Sequence, residues 1–367
     1  GTLSCPDRNL AVFHHYRHYE GLRLLPSVCD SKLIQQTLIN DVCSEFKSGK
    51  NIKADSVFEC GEYPVYGGNG LRGYTSSYNH EGSYVLIGRQ GALCGNVRSV
   101  YGKTYITEHA IAVAGNEKSN TNFLHYLFLK MNLGQYSDQS AQPGLAVNKL
   151  LKLKVALPII SEQTKIAKFL SLLDERIATQ SKIIEKMQTL IKGIAHKVSK
   201  QGKPNIRLSE CLLCTSSTLQ ESDVAEVGAY PVYGANGIVG YLDTYNTTSE
   251  AIYIIKDGSG VGAVSCVKGK CSATGTLNIL QTKEGFSLRY LYFILKVFSF
   301  EPYKTGMAIP HIYFKDYGKA KIYCPSNQLQ CKYADLLSKI EQKATAEQKI
   351  LDNLCSQKQY LLCQMFI

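Results

Sequence analysis

Two long stretches of the chain carry apolar residues at spacings that alternate between four and three. The first runs Ile166, Leu170, Leu173, Ile177, Gln180, Ile184, Met187, Ile191, Ile194, Val198. The second runs Tyr333, Leu337, Ile340, Ala344, Glu347, Leu351, Leu354, Lys358, Leu361, Met365. This is the a/d heptad seam of a helix that buries one narrow stripe against a partner helix. Pro158 and Pro325 end the extended stretches that precede the seams, and Ser161, or Ser326 to Asn327, supplies a capping side chain. The first predicted helix, Ser161 to Val198, is roughly 57 Å long at 1.5 Å per residue. A rod of that length outruns a small domain, whereas two such rods, running antiparallel, bury each other's stripes. Gln180 and Glu347 are polar breaks near the middle of each seam, and the pattern predicts that they face each other and fix the register.

Outside the seams the pattern is short, β-branched and punctuated by glycine. Tyr84–Gly88 and Ala251–Ile255 read as strands, and Phe123–Met131 and Leu288–Phe298 as short helices. These segments come in pairs because the chain is duplicated. Tyr63-Pro-Val-Tyr-Gly-Gly-Asn-Gly70 recurs as Tyr230-Pro-Val-Tyr-Gly-Ala-Asn-Gly237, an offset of 167. The same offset pairs Gly91 with Gly258, Gly95 with Gly262, Lys103 with Lys270, Pro143 with Pro310, and Gln163 with Gln330, without an insertion. Gln180 and Glu347 are equivalent by it. The chain therefore contains two copies of one unit, each a β-rich part followed by a long helix. The expected divisions are 1–157 (an N-terminal segment and the first β-rich domain), 158–204 (first helix), 205–322 (second domain) and 323–367 (second helix). Residues 1–35 stand outside the repeat; His14, His15 and His18 cluster there and read as a surface segment rather than a metal site.

The 367 residues suit two domains, and 44% hydrophobic content supports real cores. No apolar run reaches the 18 residues of a membrane span, and no secretory leader pattern opens the sequence, so a cytoplasmic protein is expected. The 13 cysteines are scattered and odd in number, which reads as reduced thiols. Cys211 and Cys214 form a lone C-x-x-C without the second pair that a closed zinc site requires, so no metal is expected. The net charge of +11 fits an anionic partner but is not concentrated in a tail: the 158–204 segment holds nine basic and four acidic residues.

Catalytic motifs fail on their context. Gly68-Asn-Gly70-Leu-Arg-Gly73 has the G-x-G-x-x-G spacing, yet turn residues follow where a dinucleotide site needs a helix, and Ala235 replaces the first glycine in the second copy. Gly102-Lys103-Thr104 resembles the end of a phosphate loop, but six residues separate it from Gly95 where four are required, and Cys271 stands where the second copy would need a hydroxyl. No methyltransferase or nuclease motif is evident, and the chain is expected not to be an enzyme and to hold no cofactor.

The segments YPVYGGNGLRGY, LIGRQGALCGNV and TEHAIAV, with ALPIISEQTKIAKFLSLLDERI leading into the long helix, closely resemble the specificity subunits of type I restriction-modification systems, from about residue 36 to the end. The second copy departs from the pattern, with CPSNQLQ at the helix entry and KDGSG in place of GRQG. The resemblance implies an α+β protein: two β-rich target-recognition domains, related by a pseudo-twofold, separated by an antiparallel two-helix coiled coil that spans roughly one and a half turns of duplex. Its implied partners are double-stranded DNA, read as a bipartite asymmetric target, two adenine-methyltransferase subunits and restriction motor subunits. S-adenosylmethionine, ATP and magnesium would belong to those partners. The alternatives are a coiled-coil scaffold that does not bind DNA, and a specificity subunit of a combined cutting-and-modifying system outside type I.

Duplication supplies an internal control. Positions alike in both copies hold the fold, whereas a split target has two different halves, so base readers should differ between copies. The candidates are Arg72 (opposite Val239), Arg89 and Gln90 (opposite Lys256 and Asp257), His109 (opposite Thr276), Gln142 (opposite Ile309), and Asn148 and Lys149 (opposite Lys315 and Asp316). Arg and Lys suit guanine edges, Gln and Asn suit adenine, and Asp can accept from cytosine. Arg98, Lys103, Lys268 and Lys270 are candidate phosphate contacts, which position without specifying.

Overall fold

The computed structural model describes residues 35–91, 93–138, 143–306 and 309–366; Gln142 and the His14, His15 and His18 cluster lie outside them. The chain divides into two compact units, one formed by the chain up to Arg176 with Leu354–Ile367, the other by Ile177–Asn353. Each unit thus contains one β-rich part and portions of both long helices.

In the first unit, strands β1 (Gln35–Leu38), β2 (Cys43–Ser48), β3 (Tyr63–Gly67), β4 (Gly70–Thr75), β5 (His80–Gly88), β6 (Val97–Ile106) and β7 (Ala110–Gly115) precede helix α1 (Thr121–Met131). The short helix α2 (Val147–Leu151), strand β8 (Lys154–Leu157) and the long helix α3 (Ile160–Ser199) follow. Six strands form one sheet in the order β2-β7-β5-β6-β3-β4, and β1 pairs with β8. The period-2 pattern of β5 sorts its side chains. Val85 and Ile87 join the core under α1, with Phe123, Leu124 and Phe128, while Leu86 faces the opposite cluster with Val100 and Ile106.

The second unit repeats this order. It contains β9 (Ile206–Arg207), α4 (Leu208–Cys211), β10 (Leu212–Ser216), β11 (Tyr230–Gly234), β12 (Gly237–Leu242), β13 (Ala251–Ile255), β14 (Val264–Val267), β15 (Ser272–Ala273) and β16 (Leu277–Thr282). Then come α5 (Leu288–Leu295), α6 (Phe314–Tyr317), β17 (Lys321–Ile322) and the long helix α7 (Asn327–Met365). β3, β4 and β7 reappear as β11, β12 and β16 at an offset of 167. One difference has a local cause. In the first unit Gly82, at φ +120°, pairs with Gly102 and lets β5 and β6 run on to His80 and Thr104. Ser249 takes the place of Gly82, and a side chain disfavours that backbone region. The second hairpin is correspondingly interrupted: β13 begins only at Ala251 and the counterpart of β6 breaks into β14 and β15, although Thr247 and Cys271 still exchange backbone hydrogen bonds at the positions of His80 and Thr104, and the sheet separates into β10-β16-β13-β14 and β12-β11-β15.

The predicted seam residues are buried or half-buried along both helices, with exposed residues between them. Within the second unit the helices run antiparallel: Gln180 meets Glu347, and Tyr333 donates to Gln201 at 2.7 Å. Within the first, Asp174 meets Lys358, and Ile166 and Leu170 share a core with Leu362 and Phe366. Gln180 Nε2 donates to the Glu347 carboxylate at 2.6 Å and to its carbonyl at 3.1 Å.

Helix α3 starts one residue before the expected Ser161 cap, and the Ile159 carbonyl accepts from the Gln163 amide. The entry is fixed by tertiary contacts rather than by a capping serine. Gln163 is fully buried; its Nε2 donates to the Pro158 and Lys118 carbonyls, and its Oε1 accepts from the amide of Asn120, the residue whose side chain caps α1. Gln330 repeats the arrangement with Pro325 and the amide of Ser287, the cap of α5. Helix α5 stops at Leu295, short of the expected Phe298. Among the described residues no helix is long and apolar enough to cross a membrane.

Candidate nucleic-acid interface

Three loops converge beside the β3–β4 turn of the first unit. The Arg89 amide donates to the His109 carbonyl at 2.9 Å, the Arg89 carbonyl accepts from Leu145 at 2.9 Å, and the Gly91 amide donates to Pro143 at 3.1 Å. The second unit has the same frame: Lys256 bonds to Thr276 and Ile312, both at 2.9 Å, and Gly258 to Pro310 at 3.0 Å. Gly70 and Gly237 both turn the hairpin at φ +103°, where a Cβ would be strained. The backbone frame is common to both copies, and the side chains mounted on it are not.

In the first unit Asn69, Arg72, Gln90 and His109 line an open cleft of about 380 Å³ floored by Gly67, Gly68 and Gly91. His109 Nδ1 lies 3.2 Å from Gln90 Oε1, and its Nε2 lies 3.1 Å from Glu108. Arg72 lays its methylene stem over Gly67, and Val239 lays its methyl groups over Gly234 in the same way, so the two side chains share one place and differ in the guanidinium that only Arg72 carries. Arg98 also reaches this turn, its guanidinium lying beside Gly70. Asn148 and Lys149 are exposed on α2, just after the third loop, with Lys149 paired to Asp138. In the second unit Thr276 is hydrogen-bonded to Thr274, Lys315 lies 5.3 Å above the Tyr313 ring, and Asp257 is held by His311 at 2.7 Å.

The remaining lysines lie elsewhere. Lys268 turns toward Glu250 at 3.8 Å, on the wall of a cavity of about 970 Å³ between β14, α5 and α7. Lys103 sits 4.8 Å above Tyr78, whose ring is 5.0 Å from Tyr63. Lys270 sits 4.9 Å above Tyr245, whose ring is 4.9 Å from Tyr230. These two exposed clusters are the same three residues at the repeat offset. Sequence reasoning missed their tyrosines, and it also missed Leu71 and Ile238, which are 51% and 53% exposed at equivalent places beside the turn. The signal available was identity, or near identity, at a position with no core to fill.

Burial pushes the Cys211 thiol up to about 12 and the Cys214 thiol to about 11, which keeps both protonated. Among the described residues no group of His, Cys, Asp and Glu side chains is placed to hold a metal ion.

The family described as the type I restriction modification DNA specificity domain matches residues 34–189 and again 211–355, one match for each copy of the repeat. The chain belongs to that family. It is 45% identical over 134 residues to the type I restriction enzyme EcoprrI specificity subunit of Escherichia coli, a match that covers 35% of this chain and 33% of that protein's length. Among solved structures, the crystal structure of the type I restriction-modification S subunit from Mycoplasma genitalium superposes with a TM-score of 0.72 at 20% identity, covering 91% of this chain and 96% of that one. A chain from a structure of complex assembly and conformational transition in the type I R-M system gives a TM-score of 0.52 at 15% identity, over 90% and 97% of the two chains. These likenesses establish a shared α+β fold.

Proposed function

We propose that this chain is a non-catalytic, cytoplasmic specificity subunit of a type I restriction-modification assembly, in which each unit reads one half of a bipartite, asymmetric DNA target. The observation that carries the reading is the pair of identical backbone frames bearing different side chains: Arg72, Arg89, Gln90 and His109 in one, Val239, Lys256, Asp257 and Thr276 in the other. Base edges in the major groove are distinguished by such donors and acceptors, and the apolar Val239 suits a thymine methyl group. Arg98 beside the turn, and Lys103 and Lys270 above their tyrosines, would hold phosphates.

The long helices would carry the partners. Ile183 and Leu190 on α3 and Leu336 and Ile350 on α7 share one heptad position outside the seam and are exposed. Exposed aliphatic residues recurring on both helices fit two copies of one partner, the adenine-methyltransferase subunits, with restriction motor subunits joining them. S-adenosylmethionine, ATP and magnesium would be bound by those subunits. Methylome sequencing of the source cell tests the reading. It expects a two-part methylated motif that disappears when the gene for this chain is deleted; a motif that persists, or one with a single uninterrupted part, overturns it.

A further inference from the structure

Position 90 and its counterpart 257 occupy the same corner of the two frames, and each is tied to a histidine from a different segment. In the first unit both ring nitrogens of His109 are engaged, by Gln90 and by Glu108. In the second, Asp257 Oδ1 lies 2.7 Å from His311 Nδ1. A backbone bridge joins residues 257 and 311, and reciprocal amide bonds tie His311 to Thr305 at 2.7 and 2.9 Å. The Tyr313 ring lies nearly parallel to the imidazole with centroids 6.4 Å apart. His311 is therefore held from three sides.

An ionised carboxylate only accepts hydrogen bonds, so His311 Nδ1 carries the hydrogen, and in the neutral ring Nε2 is left as an acceptor. Among the described residues Nε2 has no partner. We propose that His311 Nε2 accepts from an exocyclic base amino group, N6 of adenine or N4 of cytosine, in the half-site read by the second unit, with Asp257 acting as the positioning residue. This rests on the DNA-reading function proposed above. It also reassigns the acceptor: Asp257 does not itself touch the base. A bare carboxylate approaching DNA meets the field of the phosphates. The imidazole presents acceptor chemistry one ring further out, with the Lys256 carbonyl bonded to the next residue, Ile312, and Lys315 above the Tyr313 ring.

The test is selection from randomised duplexes by the assembly of this chain with its methyltransferase partner. If the wild-type assembly selects no two-part sequence, the DNA-reading function itself fails. If it does, H311A should lose roughly tenfold preference at one base pair of one part and leave the other part unchanged. H311Q, whose side-chain oxygen restores an acceptor, should recover some of that preference. D257A should lose preference at the same base pair, and the double variant should lose no more than either single one. Unchanged preference in H311A, a uniform loss on all duplexes, or a D257A effect at a different base pair would each overturn the proposal.

Discussion

Replacing Gln163 by leucine probes the joint between a long helix and its domain. The side chain is fully buried and its amide serves three backbone groups: the Asn120 N–H at 2.8 Å, the Lys118 carbonyl at 2.9 Å and the Pro158 carbonyl at 2.8 Å. Leucine fills similar space and satisfies none of them. A buried group left without a partner costs about 1–3 kcal/mol, so three give about 3–6 kcal/mol after some relaxation toward solvent. The second unit supplies the comparison. Gln330 serves only the Ser287 N–H and the Pro325 carbonyl, because the carbonyl of Gly285, the counterpart of Lys118, accepts from Asn327 instead. Q330L should therefore cost about 2–4 kcal/mol. Two units need not unfold in one step, so hydrogen exchange read separately on each is the suitable assay. A Q163L cost below about 1 kcal/mol in the first unit, or a larger cost for Q330L, would refute the reasoning.

Four further outcomes are expected. Q180L leaves the half-buried Glu347 carboxylate without its donor and should destabilise the second unit by about 1–3 kcal/mol, while Q180L/E347L should return to wild-type stability or above it in urea unfolding. R89A should relax preference in the first half-site at a cost of about 1–3 kcal/mol in competition binding; an equal loss on every sequence would make Arg89 a phosphate contact. K103Q and K270Q should each weaken binding to all duplexes alike and lower the salt slope of log K by about 1; an unchanged slope would confine these lysines to their tyrosines. Burial, reinforced by Lys358, lowers the His125 pKa to about 4, so in the first unit the ring stays neutral while the unfolded chain takes up a proton. Stability of that unit should fall as pH drops from about 6.5 toward 4, by on the order of 3 kcal/mol at most, and H125F should flatten the dependence in pH-resolved hydrogen exchange.

The features legible in the sequence were those with a period. The seam residues, the strands at Tyr84–Gly88 and Ala251–Ile255 and the 167-residue offset all express regular geometry, and the Gln180–Glu347 contact follows from offset and antiparallel pairing together. What escaped was set by contacts between distant segments. The broken counterpart of β6 traces to Ser249 replacing Gly82 on the neighbouring strand, and no propensity of Val264–Ala273 announces it. The start of α3 is decided by Gln163 reaching Lys118 and Asn120, so the nearby Ser161 was a misleading cap. Asp257 read as a direct base contact because His311, its partner, lies 54 residues away in sequence. Gln163 and Gln330 did carry a signal: an uncharged polar residue kept in both copies at the mouth of a long helix has no reason to persist unless its amide is used.

Duplication separates what the frame must do from what the tips must do. Backbone amides and carbonyls, together with glycines at positive φ, hold the converging loops in both units, and none of those bonds depends on the side chain at positions 72, 89, 90 or 109. A surface substitution away from special features changes stability by about half a kcal/mol or less, whereas a correctly placed side chain at a base edge discriminates by about 1–3 kcal/mol. On the DNA-reading function proposed above, the tips are therefore free to change specificity by factors of ten or more with little penalty in folding. His311 marks where that freedom ends. Because Asp257 is paired to a histidine from another loop, the two positions are coupled, and an exchange of Asp257 alone for the Gln found at position 90 would replace the charged acceptor on the ring with a neutral amide oxygen like the one that meets His109 in the first unit.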